Sequence, residues 1–158
     1  MPCQIDLQDA SAGEEFLALI DRAVLQRLID AALEDEGGDH DTQLGIILVD
    51  EQESDELHRE HFAVDGSTDV MSFPDGSINP ENNRLLIGEL IVCPAVAQRA
   101  VAAAPDSRRS VADELLLYML HGTLHCLGFD DIEQDDRDEM WQRQSELLAP
   151  FGITISDD

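Results

Sequence analysis

A chain of 158 residues, 43% hydrophobic and 28% charged, has the length and composition of one globular domain with a hydrophobic core. Thirty-five acidic residues against nine basic ones, all arginine, give a formal net charge of -26, which resists nonspecific attraction to nucleic acid or anionic membrane. No apolar run reaches membrane-spanning length, and three scattered cysteines without a CxxC pair read as reduced thiols of a cytoplasmic protein.

The chain opens without a basic and apolar leader. Alternation over Gln4 to Gln8 predicts a first strand with Ile5 and Leu7 on one face. Ser11 and Glu14 have the spacing of a capping box. Phe16, Leu19, Ile20, Ala23, Val24, Leu28, Ala31 and Ala32 then recur at helical spacing, predicting one amphipathic helix that ends between Glu34 and Gly37-Gly38. After a polar turn holding His40, the apolar run Leu44 to Val49 predicts a buried strand. Asp50 to Phe62 reads as a polar helix anchored by Leu57 and Phe62. Thr68 to Phe73 is a strand candidate stopped by Pro74, and residues 75–84 are turn-rich. Leu85 to Val92 returns as a strand in which Gly88 marks a bulge or a close approach of another segment. Pro94 suits the first position of an alanine-rich helix running to Ala104. Ser110 and Asp113 open a strongly apolar helix, and Ile132 to Leu148 forms a last one with Met140, Leu147 and Leu148 inward. Together these elements predict one α+β domain over residues 1–158, with about four strands in a mixed sheet packed with helices.

The apolar helix carries the chemistry. His121 and His125 stand four residues apart at its end, so both imidazoles reach one point. Gly128 follows where a helix commonly ends in a left-handed residue, and the chain can then return Asp130 or Asp131 to the same point. An apolar helix is a costly place for two imidazoles unless something satisfies their nitrogens. The spacing H-x-x-x-H-x-x-G-x-x-D matches a zincin-like site with Asp131 as third ligand. Zinc peptidases of the H-E-x-x-H type place their general base beside the first histidine, and that position here is Gly122. A peptidase would need its base from elsewhere.

The run His121-Gly122-Thr123-Leu124-His125-Cys126-Leu127-Gly128-Phe129-Asp130-Asp131 resembles the signature H-G-x-L-H-L-x-G-Y-D-H of the YbeY family of metal-dependent endoribonucleases. Thr68-Asp69-Val70-Met71-Ser72-Phe73-Pro74 resembles a second family segment, T-D-V-L-S-F-P, and Gly88-Glu89-Leu90, Met140 and Glu146 also fit. The likeness is strongest over residues 44–149. It implies a zinc site and cleavage of single-stranded RNA in ribosomal RNA maturation, at the 16S 3′ end, and in ribosome quality control. The expected partners are therefore a ribosomal RNA precursor and the small ribosomal subunit. His121 and His125 carry over as ligands, whereas the family's third histidine is Asp131 here. Two imidazoles and one carboxylate also suit iron, manganese or nickel. The resemblance gives Arg59 a phosphate-binding and charge-stabilising role, since a guanidinium binds phosphate in bidentate fashion.

The acidity sets a difficulty for RNA binding, which rests on basic contacts. Either arginines gather at the site, with Arg59, Arg84, Arg99, Arg108 and Arg109 as candidates, or a saline cytoplasm screens the surface. Cys126 reads as a core thiol, His58 and His61 as surface residues within reach of RNA, and Trp141 as a core residue that could stack a base. The alternatives to an endoribonuclease are a zincin-like metallopeptidase and a non-catalytic ribosome-associated factor with a structural metal.

Overall fold

A computed structural model describes residues 2–36 and 40–155. Four strands form one mixed sheet: β1 (Gln4–Asp9), β2 (Thr42–Leu48), β3 (Val70–Pro74) and β4 (Leu85–Val92), in the order β1-β2-β4-β3. β1, β2 and β4 run parallel, and β3 pairs antiparallel with β4 as the edge. The expected four-stranded mixed sheet is present. Along β2 the burial alternates residue by residue, with Leu44, Ile46 and Leu48 fully buried on the face that carries most of the helices. The other face is covered in part by α3 (Glu51–Phe62), where Val49, Met71 and Ile91 form a small second core against Leu57 and Phe73. Between Gln43 and Leu44 the register with β4 skips Ile87, so a bulge sits beside Gly88 as expected. A Cβ on Gly88 would stand 2.7 Å from both Cys126 Sγ and the Phe73 carbonyl oxygen, so the close approach is real as well.

The helix expected after Ser11 is two helices. α1 (Glu14–Leu19) stops at Ile20, which is extended, and α2 (Arg22–Glu36) restarts where Asp21 Oδ1 accepts from the N–H groups of Ala23 and Val24. The Ser11–Glu14 capping box is also absent. Ser11 instead donates to Glu53 and accepts from the Asp50 N–H, while Asp9 takes the N–H groups of Ala12 and Gly13. These partners lie far along the chain or before the spacing that suggested the box. The Gly37-Gly38 pair lies outside the described residues.

The remaining helices are α4 (Pro94–Ala103), α5 (Val111–Cys126) and α6 (Gln134–Leu148). Pro94 occupies the first turn of α4. Ser110 and Asp113 form the full reciprocal capping box of α5. α5 is the central helix, in contact with β3, β4, α2, α4 and α6, and Leu115, Met119, Leu120 and Leu124 on it are fully buried. Truncating such a leucine to alanine typically costs about 2–5 kcal/mol, so the helix that holds both histidines is fixed by the core.

Candidate metal centre

The C-terminal end of α5 is shaped by its cap. Gly128 adopts φ 103, its N–H bonds the His125 carbonyl, and the Phe129 N–H bonds the Leu124 carbonyl. That pair of bonds is a Schellman motif, and it turns the chain back across the helix end. Two consequences follow for the site. The Phe129 carbonyl oxygen lands 3.0 Å from His125 Nδ1, and Asp131 returns toward both imidazoles.

Each ring is oriented through its Nδ1. His125 donates to the Phe129 carbonyl, and His121 donates to Gln144 Oε1 on α6 at 2.7 Å. In a neutral ring, each acceptor selects the tautomer that leaves a lone pair on Nε2. The two Nε2 atoms are 3.0 Å apart, and Asp131 Oδ2 lies 3.7 Å from His121 Nε2 and 3.6 Å from His125 Nε2. With both rings neutral in that tautomer, three lone-pair-bearing atoms face one another, an arrangement that a cation relieves. These separations leave a point about 2.0 Å from all three atoms, and zinc sits ~2.0–2.2 Å from imidazole nitrogen and carboxylate oxygen. The donor set therefore fits a divalent transition ion. Among the described residues it is the one His/Cys/Asp/Glu group whose atoms converge in this way. Burial holds the His121 pKa below its ordinary value, the neighbouring His125 adds to that, and the bond to Gln144 and the charges of Asp69 and Asp131 oppose it. A depressed pKa keeps the ring neutral and able to ligate. Asp131 is the exposed member, its side chain 47% accessible, so the site opens to solvent on that side.

Gly122 faces the other way. A Cβ there would stand 2.9 Å from Leu90 Cδ2 and 3.0 Å from Val70 Cγ2, and the Ser72 hydroxyl donates to its carbonyl oxygen. A glutamate at this position would enter the sheet rather than the metal side. The base of an H-E-x-x-H peptidase thus has no room on this helix. Cys126 is similarly turned to the sheet, and burial pushes its thiol up to about 11.

Two members of the triad, His121 and Asp131, border a cleft of about 830 Å³ whose wall also includes Gln134, Arg137, Trp141 and Gln144. None of the five arginines expected to gather at the site lines it. Arg59 pairs with Asp55 at 2.7 Å and with Asp65 at 3.4 Å. Arg84 donates to the carbonyl oxygens of Thr42 and Pro2. Arg99 pairs with Glu51, and Arg109 with the buried Glu114 at the opposite end of α5. Arg108 sits in the loop before α5, in a left-handed conformation. The cleft's arginine is Arg137. His58 and His61 contact Phe62 and Phe73 on the far face of the sheet, and Trp141 packs against the main core as well as lining the cleft.

Sequence reading missed Gln144. Its signal was present: with Met140, Leu147 and Leu148 inward, position 144 falls on the same face, where an amide needs a partner.

Comparison with known proteins places these features in a group. The family model described as Endoribonuclease YbeY matches residues 12–152. A relative named Endoribonuclease YbeY from Clavibacter michiganensis is 36% identical over 156 residues, covering 95% of this chain and 96% of its own. One of the same name from Leifsonia xyli is 38% identical over 145 residues, covering 89% and 93%. The solution structure of a Thermotoga maritima protein superimposes with a TM-score of 0.59 at 23% identity, over 94% of this chain and 92% of that one, and shares the fold.

Proposed function

The chain belongs to the Endoribonuclease YbeY family, and from that membership we propose that it is a metal-dependent endoribonuclease. It cuts single-stranded RNA in ribosomal RNA maturation, at the 16S 3′ end, and serves ribosome quality control. The observation that supports metal dependence is the convergence of His121 Nε2, His125 Nε2 and Asp131 Oδ2 on one point. His121, His125 and Asp131 would hold a divalent ion, zinc by family likeness, which when bound would supply Lewis acidity toward a phosphoryl oxygen or water. The chain's own groups hold that chemistry in place. Gln144 and the Phe129 carbonyl keep both rings in the ligating tautomer, and the open side at Asp131 admits the strand. Asp131, a carboxylate where the family likeness has a third imidazole, would leave a held ion less positive and so less able to acidify water. Arg59 is the phosphate contact that the family likeness suggests, and it would have to exchange Asp55 and Asp65 for phosphate. Arg84 would likewise have to leave two carbonyl oxygens.

The test joins metal content with cleavage. Untagged protein purified without added metal is expected to carry about one equivalent of a transition ion by plasma mass spectrometry. It is expected to cut single-stranded but not duplex RNA, with activity lost to a chelator and in His125→Ala. Retained metal with no cleavage would favour the non-catalytic ribosome factor. Casein cleavage would favour a peptidase, against the sheet-facing Gly122.

A further inference from the structure

We propose, resting on the RNA-cleaving reading above, that Arg137 and Trp141 of α6 form a nucleotide subsite beside the ligand triad. Trp141 stacks an unpaired base and Arg137 contacts a phosphate of the same strand.

Four positions of α6 recur three or four residues apart, Gln134, Arg137, Trp141 and Gln144, and so share one helix face. All four line the cleft that His121 and Asp131 also line. Gln144 anchors this stripe to the triad through its 2.7 Å bond to His121. Trp141 then lies about 4.5 Å farther along the helix axis and Arg137 about 10 Å, at ~1.5 Å per residue. From the triad outward the wall therefore runs cation site, neutral amide and indole, guanidinium. A single strand presents the matching order of phosphate, base and phosphate.

Charge singles out Arg137. In a chain of -26, Arg59, Arg99 and Arg109 are each paired with carboxylates on other faces. Arg137 lines the cleft, and its guanidinium donates to the neutral side-chain oxygen of Gln134 at 2.8 Å. Exchanging an amide for a phosphate is easier than exchanging a carboxylate. Asp138 also lines the cleft, so the net local charge suits one phosphodiester better than a terminal polyphosphate. Trp141 is partly buried against the core, which holds the indole in place as a platform. Stacking on such a platform requires a base already free of a duplex, and it tolerates any base because each has a π-face. Gln142, which also borders the cleft and whose amide N–H is held by Glu146, leaves its side-chain oxygen to accept from a base edge. The substrate class that fits is unpaired RNA, read by its strandedness rather than its sequence.

Trp141 is the only tryptophan of the chain, so its fluorescence reports this subsite alone. The experiment titrates zinc-loaded full-length protein with a fluorescein-labelled single-stranded hexauridylate for anisotropy, and with the unlabelled oligomer for tryptophan emission. Emission is expected to quench in step with the anisotropy rise. An oligomer of the same length with abasic sites is expected to bind more weakly and quench little. Arg137→Gln and Trp141→Ala are each expected to raise KM for single-stranded RNA about tenfold with kcat within about threefold, while Trp141→Phe largely restores KM. Equal zinc content in all variants keeps the comparison on substrate binding. Binding and cleavage without quenching, together with unchanged KM in both variants, would overturn the subsite and leave the function standing. Neither binding nor cleavage by the wild-type protein would overturn the function, and the subsite with it.

Discussion

At its N-terminal end α5 buries a carboxylate, and at its C-terminal end it gathers lone pairs; the two ends treat polar groups in opposite ways. Glu114, 4% exposed, meets the Arg109 guanidinium at 2.5 Å, and Arg109 also donates to the Thr154 carbonyl oxygen. The acid sits in the first helical turn, where the dipole favours it, and its counter-charge comes from within the protein. Seven residues beyond Glu114, His121 begins a cluster in which two imidazoles and the Asp131 carboxylate turn their ligating atoms toward one point. The same core clamps both ends. What differs is that one end is closed by an internal ion pair whereas the other gathers a donor set that could hold a metal, and that contrast separates a structural polar cluster from a candidate functional one.

The contrast can be broken most sharply by removing one group at each end. His125→Ala is expected to weaken metal binding by more than about a hundredfold and to abolish metal-dependent RNA cleavage, with the fold kept, as read by chelator competition and circular dichroism. Glu114→Ala is expected to do the reverse. It should lower unfolding free energy by about 3 kcal/mol in urea titration, by stranding Arg109, while metal stoichiometry stays unchanged. A loss of metal in Glu114→Ala would show that the two ends are coupled. Gln144→Ala sharpens the picture inside the site, because it frees the His121 ring without removing a ligand. Its metal affinity should fall about 10–100-fold. The smallest expected effect is of pH on the metal-free protein. The His121 pKa is depressed in the folded state, so the unfolded chain binds the proton more readily. Stability is then full above the unfolded value of ~6.5 and declines as pH falls toward and through the lower folded value. Urea midpoints flat between pH 7.5 and 5.5 would contradict the burial of that ring.

Much of this was legible in the chain because its signals are local. β4 runs over the very span that its apolar run marked, Ser110 and Asp113 cap α5 as their spacing suggests, and the histidines meet because helix geometry makes them. Signals that depend on distant partners were not legible. Ser11 looked like a cap by spacing, but Glu53 and Asp50, some forty residues on, claim its hydroxyl. The break at Ile20 lies inside a continuous helical pattern, and only the Asp21 side chain restarting the helix reveals it. The site divided along the same line. Its ligand spacing lay in one segment, whereas Gln144, Arg137 and Trp141 join it by the packing of α6 on α5, which no spacing encodes. Apart from Arg59, which the family likeness singled out, the arginines expected to cluster were chosen by charge alone, and charge does not tell which of them already has a carboxylate partner.

The turn that closes α5 has a further consequence. Because the Phe129 carbonyl holds the His125 ring while the Phe129 amide closes the helix, binding of an ion at His125 would be coupled to fraying of the helix end through one hydrogen-bonded unit. An ion bound tightly to the native state stabilises it by mass action, and the stabilisation reaches first the unit that opens with the ligand. The amides of Gly128 and Phe129 thereby become a built-in gauge of occupancy: their exchange with solvent deuterium should slow as the ion binds, long before any substrate is present.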